Sequence, residues 1–323
     1  MGKLGRYLRS RSAWLNVLRI AIAVGLIAAL AATGRLGLAR LVELPLSGSL
    51  ALLTAIILGS LFLPAVRWWL LLRAQSVGEP FGRVLWLTWA GYFGSLLLPG
   101  GAGGDVARGI LINRHREAGR ARALSTVLAD RVLGLYSLLL LGLPSILWLS
   151  YYGPLPQGVA EVAAVVVALF LAGTLGILGV LWHPTRRRVL SILPGAWREA
   201  WNHSCENYAA AKGTLALCLG LSLISNGLVL LSFWAAGAVL DQPVTMEASS
   251  LAGVLVVIVN CLPFSPGGIG VAEVAADRMF AAFGVELGGA MMVLIRLISI
   301  AWTLPGAIAL FWPGRAATAE VVA

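Results

Sequence analysis

Charge is what this sequence has least of: Asp, Glu, Lys and Arg together make up 12% of its 323 residues, against 59% hydrophobic. No soluble core could hide that much apolar surface, and a mean hydropathy of +0.89 makes lipid the solvent. No polar stretch exceeds about thirty residues, which excludes an appended soluble catalytic domain and leaves residues 1–323 as one membrane domain. Cysteine is confined to Cys205, Cys218 and Cys261, too isolated for a disulfide framework or a metal cluster, so these read as packing residues. His115, His183 and His203 all fall in polar loops. GxSxG, HExxH and P-loop motifs are missing, and neither glycine run completes GxGxxG, because Val106 and Glu273 stand where the third glycine would be. No cofactor, metal or ATP site is indicated, and enzymatic activity is not expected.

Acidic residues are the scarcer of the two signs, 14 against 24 Lys and Arg, for a net charge of +10. The basic residues gather in short loops between apolar runs. That is membrane topology signalling and contact with anionic headgroups, not a nucleic-acid face.

Apolar runs fall near 14–33, 48–72, 84–98, 123–150, 160–182, 214–240, 248–265 and 288–312. Six can cross a hydrocarbon core of about 30 Å at about 1.5 Å per residue; 84–98 and 248–265 are marginal. Both marginal runs end in the string PGGxG, opened by Pro99 and Pro266, 167 residues apart. Each half of the chain reads as two helices, a broken hairpin and a closing helix, 14–150 against 160–312. The fold class expected is an all-α polytopic membrane protein, with six transmembrane helices plus two re-entrant helical hairpins in an inverted-topology repeat.

Charge orients this arrangement. With the N-terminus cytoplasmic, Arg73, Arg83 and the cluster Arg114, Arg116, Arg120 and Arg122 stay inside only if 84–98 dips in and returns. The uncharged loop 151–158 falls outside, Arg186, Arg187, Arg188, Arg198 and Lys212 fall inside, and the second hairpin enters from the outer side beside Asp241 and Glu247. Both termini are then cytoplasmic in an inner, plasma-type membrane. Lys3, Arg6, Arg9 and Arg11 precede an uncleaved first helix.

Irregular backbone at membrane depth must be buried or line a wet cavity, and matched interruptions in two halves point to a transporter's midplane site. Gly100, Gly101 and Gly103 in the first break, and Gly267, Gly268 and Gly270 in the second, allow close backbone approach to a ligand. Half-helices at about 105–113 and 271–283 would aim free N–H groups at an anion such as phosphate. Asp105 and Glu273 occupy their first turns, either as ordinary helix starts or as groups that couple protons or meet an amine headgroup. Arg108 and Arg278 could pair with these acids, bind a lipid phosphate or snorkel to the surface. Arg131 has Asp130 beside it as a local neutraliser. Arg296 has no acid in its own run and needs Glu273, Asp277 or a substrate as partner. Guanidinium suits phosphate, so Arg131 and Arg296, each about thirty residues after its break, are the expected anion-recognising pair. Asn226 and Asn260 read as bridges between helices.

The stretches LLLPGGAGGDVARGILINR, ADRVLGL and LPFSPGGIGVAEVAADRMFAAFGV resemble signature segments of the flippase-like membrane domain of lysylphosphatidylglycerol synthases. The similarity covers nearly the whole chain and is closest to stand-alone members, since no aminoacyl transferase domain precedes Ala323. It implies movement of phospholipids or polyprenyl-linked lipids between leaflets, a possible homodimer and a separate lipid synthase as partner. An intramembrane enzyme using Asp105, Asp130 and Glu273, or a scaffold presenting lipid to a synthase, are the rival expectations.

Overall fold

A computed structural model describes residues 47–97, 104–105, 108–109, 112, 117–153, 155, 157–181, 195–262, 264–265 and 267–311. The first expected helix, 14–33, and Gly100, Gly101 and Gly103 lie outside the described residues.

The described secondary structure is helical throughout. Helix α1 (Gly48–Ala74) starts where the Ser47 Oγ accepts from the Leu50 N–H at 3.3 Å. It ends before Ser76, whose positive φ of 56° turns the chain towards α2 (Phe81–Leu97). Helix α3 (Glu117–Tyr152) is 36 residues long, with its apolar part at Leu124–Tyr152, so its polar first turns extend past a bilayer's core. Then follow α4 (Gln157–Leu181), a polar helix α5 (Gly195–Ala210) and α6 (Lys212–Val239). Helix α7 (Met246–Cys261) is capped by Thr245, whose Oγ1 accepts from the Ala248 N–H at 3.2 Å. After the second break come α8 (Val271–Ala281), α9 (Gly288–Thr303) and α10 (Pro305–Phe311).

Four helices, α1, α3, α4 and α6, are long and apolar enough to cross a membrane; α7 and α9 are apolar but shorter. Leu175 on α4 is 69% exposed and Leu147 on α3 is 72% exposed. Large aliphatic side chains displayed in this way make sense only against lipid. The chain is an all-α polytopic membrane protein.

The expected run 288–312 is divided. Pro305 has no N–H to continue the ladder, and its ring clashes with the preceding turn, so α9 ends and α10 starts there. Helix α10 then lies directly on α2. The Trp89 Nε1–H donates to the Trp302 carbonyl at 2.9 Å, and a Cβ on Gly306 would overlap the Trp89 carbonyl.

The most extensive packing is between α1 and α6, and four further pairs of contacts among the described helices come in twins around it. Helix α1 touches α2 and α3 as α6 touches α7 and α9; α3 touches α6 and α7 as α9 touches α1 and α2. Trp68 and Phe233 are fully enclosed, and Phe233 meets Phe280 of α8 at a centroid distance of 5.2 Å.

Described residues on either side of each break lie against one another. In the first half Gly91 faces Gly104 backbone to backbone, and Val84 shares a buried cluster with Ile112, contacts symmetric about residue 98. In the second, Asn260 meets Gly268, and the Glu286 N–H donates to the Gln242 Oε1 at 3.3 Å, symmetric about residue 264.

Candidate functional site: a cavity between two buried ion clusters

The second break is a tight glycine turn. Gly267, Gly268 and Gly270 have φ of 57°, 70° and 83°, a left-handed backbone that side chains oppose, and a Cβ on Gly268 would overlap the Asn260 amide oxygen. Glu273 serves this turn twice. Its Oε2 accepts from the Gly270 N–H at 2.6 Å, capping α8, while its Oε1 accepts from the Arg296 Nε–H at 2.5 Å. The Arg296 Nη1 donates to the Gly267 carbonyl at 2.6 Å, and its Nη2 donates to the Asn260 Oδ1 at 3.2 Å and to the Gly268 carbonyl at 3.3 Å. Four of the five guanidinium N–H groups therefore hold the break together, and Glu273 is the partner of Arg296. Asp277 is buried on α8, and Arg278 in its last turn is exposed.

A larger cluster gathers the described residues that follow the first break onto α1 and α3. The Arg131 Nε and the Arg108 Nη2 both donate to the Asp105 carboxylate. Asp130 serves a different arginine: its Oδ1 accepts from the Arg67 Nε–H at 2.6 Å, and its Oδ2 lies 3.7 Å from the Arg108 Nη1. The Arg67 Nη1 donates to the Ser222 Oγ at 2.8 Å, tying α1 to α6 as well as to α3. The Arg108 guanidinium sits over the Trp68 ring at 5.1 Å. The expectation that Asp130 neutralises Arg131 is corrected. Neighbours on a helix do not face each other, so Arg131 meets Asp105, just after the break, while Asp130 meets Arg67.

Between the clusters lies a cavity of about 380 Å³. Arg67, Arg108, Asp130 and Arg131 line it from the first half, with Asn260, Gly267 and Arg296 from the second. Asn226 bridges α6 to α3, donating to the Gly134 carbonyl at 2.7 Å and the Ser137 Oγ at 2.8 Å, and also lines the cavity. A mid-chain void lined by four arginines inside a bundle of apolar helices can hold an anion.

The sequence profile of the lysylphosphatidylglycerol synthase transmembrane region matches residues 16–306. The chain belongs to this family. A UPF0104 membrane protein of Pyrococcus horikoshii is 26% identical over 277 residues, covering 77% of this chain and 82% of its own length. No solved structure matches the chain.

In this lysylphosphatidylglycerol synthase-type domain, the residue that sequence reasoning missed is Arg67. Its signal was present: it is a single guanidinium inside the apolar run of α1, where an ionisable group is costly without a partner. Its partner, Asp130, lies 63 residues away in the chain. Asn260, read as a helix bridge, does join α7 to α9, accepting from Arg296 and so helping to fix it to the break.

Proposed function

We propose that this protein moves a phosphate-bearing lipid between the leaflets of an inner, plasma-type membrane, with the headgroup held in the cavity between the two breaks. The observation that carries this reading is that one cavity is lined by arginines from both halves of the chain, next to glycine-rich breaks. A volume of about 380 Å³ suits a headgroup and excludes acyl chains, which must stay in the bilayer. An apolar cleft of about 490 Å³, lined by Leu141, Leu230, Leu231 and Trp148, continues the α3–α6 seam just beyond Leu138 and Val229 of the cavity wall. It offers those chains a lateral place.

The packing of residues on either side of each break supports re-entrant hairpins, and the twinned helix contacts support an inverted repeat of 14–150 and 160–312; the reading of six spans with both termini cytoplasmic rests on the sidedness of the basic loops. Asp105, Asp130 and Glu273 are each engaged by guanidinium, which favours binding over acid–base catalysis. Purified protein in liposomes tests the reading. A lipid transporter moves labelled phospholipid across the bilayer unaided, an enzyme changes the lipid's mass, and a lipid-presenting scaffold does neither.

A further inference from the structure

Resting on that reading of the cavity, we propose that helix α5 is the cavity's gate to water, held shut by buried hydrogen bonds that open while the opposite side stays packed. A polar seam runs from the cavity to α5. It starts at the Arg67–Asp130 pair, where the Arg67 Nη1 also donates to the Ser222 Oγ at 2.8 Å. Beside that pair the Trp68 Nε1–H donates to the Thr126 Oγ1 at 3.0 Å. At the end of α1, the Gln75 Nε2 donates to the Ser204 carbonyl at 3.0 Å, and the Asn207 Nδ2 donates to the Gln75 Oε1 at 3.1 Å. The Ser125 Oγ donates to the Ser204 Oγ at 2.9 Å. These bonds join α5 to α1 and to α3, and Gln75, Ser125, Thr126 and Ser204 are all buried.

The other end of the cavity is closed differently. Ile57 and Phe233 form its wall there and continue into one apolar cluster with Leu53 and Phe280. The two seals answer to water in opposite ways. Hydrogen bonds in the α5 layer can be exchanged for hydrogen bonds to water at little net cost, whereas parting Phe233 from Phe280 sets large apolar surfaces against water. Helix α5 also has a place to swing. Ala211, the single residue between α5 and α6, has φ of −96° and ψ of 42°, outside the helical region, and no side-chain cap. The cavity therefore opens first on the α5 side, which is the side of the basic loops.

The test uses a chain with Cys205, Cys218 and Cys261 replaced. Ser125→Cys with Ser204→Cys puts two thiols where the hydroxyls now meet, so mild oxidation should join them. In liposomes the oxidised pair should move labelled phospholipid at roughly one tenth of the reduced rate or less, and re-reduction should restore it. A pair that does not cross-link, or that moves lipid equally in both states, overturns the gate. A second measurement does not depend on transport. Ser225→Cys puts a thiol on the cavity wall, and its reaction with a small charged thiol reagent is timed in intact cells and in inverted membrane vesicles. We expect reaction roughly tenfold faster from the α5 side, and faster again from that side when Gln75→Ala removes bonds to α5. Equal rates from both faces, or rates indifferent to Gln75→Ala, overturn the proposal. So does a Gln75→Ala variant that speeds reaction from both faces alike, which makes Gln75 a merely structural residue. If Gln75→Ala does not fold, the cross-link and the ratio of rates in the Gln75 parent decide. Lipid movement that survives the cross-link defeats this inference alone. Sided reactivity without any lipid movement leaves the gate standing and defeats the transport reading.

Discussion

Successive side chains on a helix are turned about 100° from one another, and that rotation decides which aspartate serves which arginine in this molecule. Asp130 and Arg131 are adjacent in sequence but belong to different ion pairs, one with Arg67 on α1 and one with Asp105 after the first break. The candidate residues were legible because ionisable groups stand out in apolar runs; their partners were not, because pairing is set by the packing of helices distant in sequence. Glu273 and Arg296 are the exception. For Arg296 the sequence left Glu273, Asp277 or a substrate as partner, and the packing of α8 against α9 selects Glu273. Since Arg296 grips two carbonyls of the break and the 1%-exposed Glu273, Arg296→Gln should cost about 3–5 kcal/mol by leaving a buried carboxylate alone. The double variant Arg296→Gln, Glu273→Gln should recover most of that loss, measured as unfolding midpoint and folded yield in detergent. If Arg296→Gln folds like wild type and loses only lipid movement, its guanidinium serves the headgroup and not the break.

At the scale of elements, the two PGGxG strings were readable because proline and glycine punctuate helices by known mechanisms, a missing N–H and access to positive φ. The same reasoning could have divided 288–312 at Pro305, but hydropathy is blind to a proline inside an apolar run. Pro64 and Pro144, which sit inside α1 and α3 without ending them, show why position alone does not settle such cases. Glycine substitution separates turn from packing. Gly268→Ala meets both a φ of 70° and overlap with Asn260, and should destabilise by about 1–3 kcal/mol or more. Gly220→Ala, on α6 with nothing near its Cβ position, should be neutral or up to about 1 kcal/mol stabilising. Thermal unfolding of the two variants side by side checks the contrast; equal losses would mean that the second break is not a constrained turn.

At the scale of the whole molecule, twinned packing about the α1–α6 pair and two chain reversals, symmetric about residues 98 and 264, are what an inverted repeat with paired re-entrant hairpins requires. In the sequence, the proposal of such a plan rests on the repeated PGGxG string and on the sidedness of the basic loops. Depth in the bilayer was not legible beyond that, because runs such as 248–265 have a length at which crossing and returning cost a similar amount. The hydrogen bond between Gln242 and Glu286 gives the sharpest topological consequence. If α7 and α8 form a hairpin that enters and leaves by the outer face, Gln242→Cys and Glu286→Cys, in a chain with Cys205, Cys218 and Cys261 replaced, should both react with a membrane-impermeant thiol reagent added to intact cells. Arg83→Cys and His203→Cys should react only after the membrane is opened, because positive loops stay inside. A full crossing by the second hairpin would put residues 242 and 286 about 30 Å apart on opposite faces, where neither that hydrogen bond nor double labelling from outside could occur. Labelling of position 242 with protection of 286 would therefore remove the re-entrant hairpin, and with it the placement of Arg296 and Gly267 on a cavity shared with the first half.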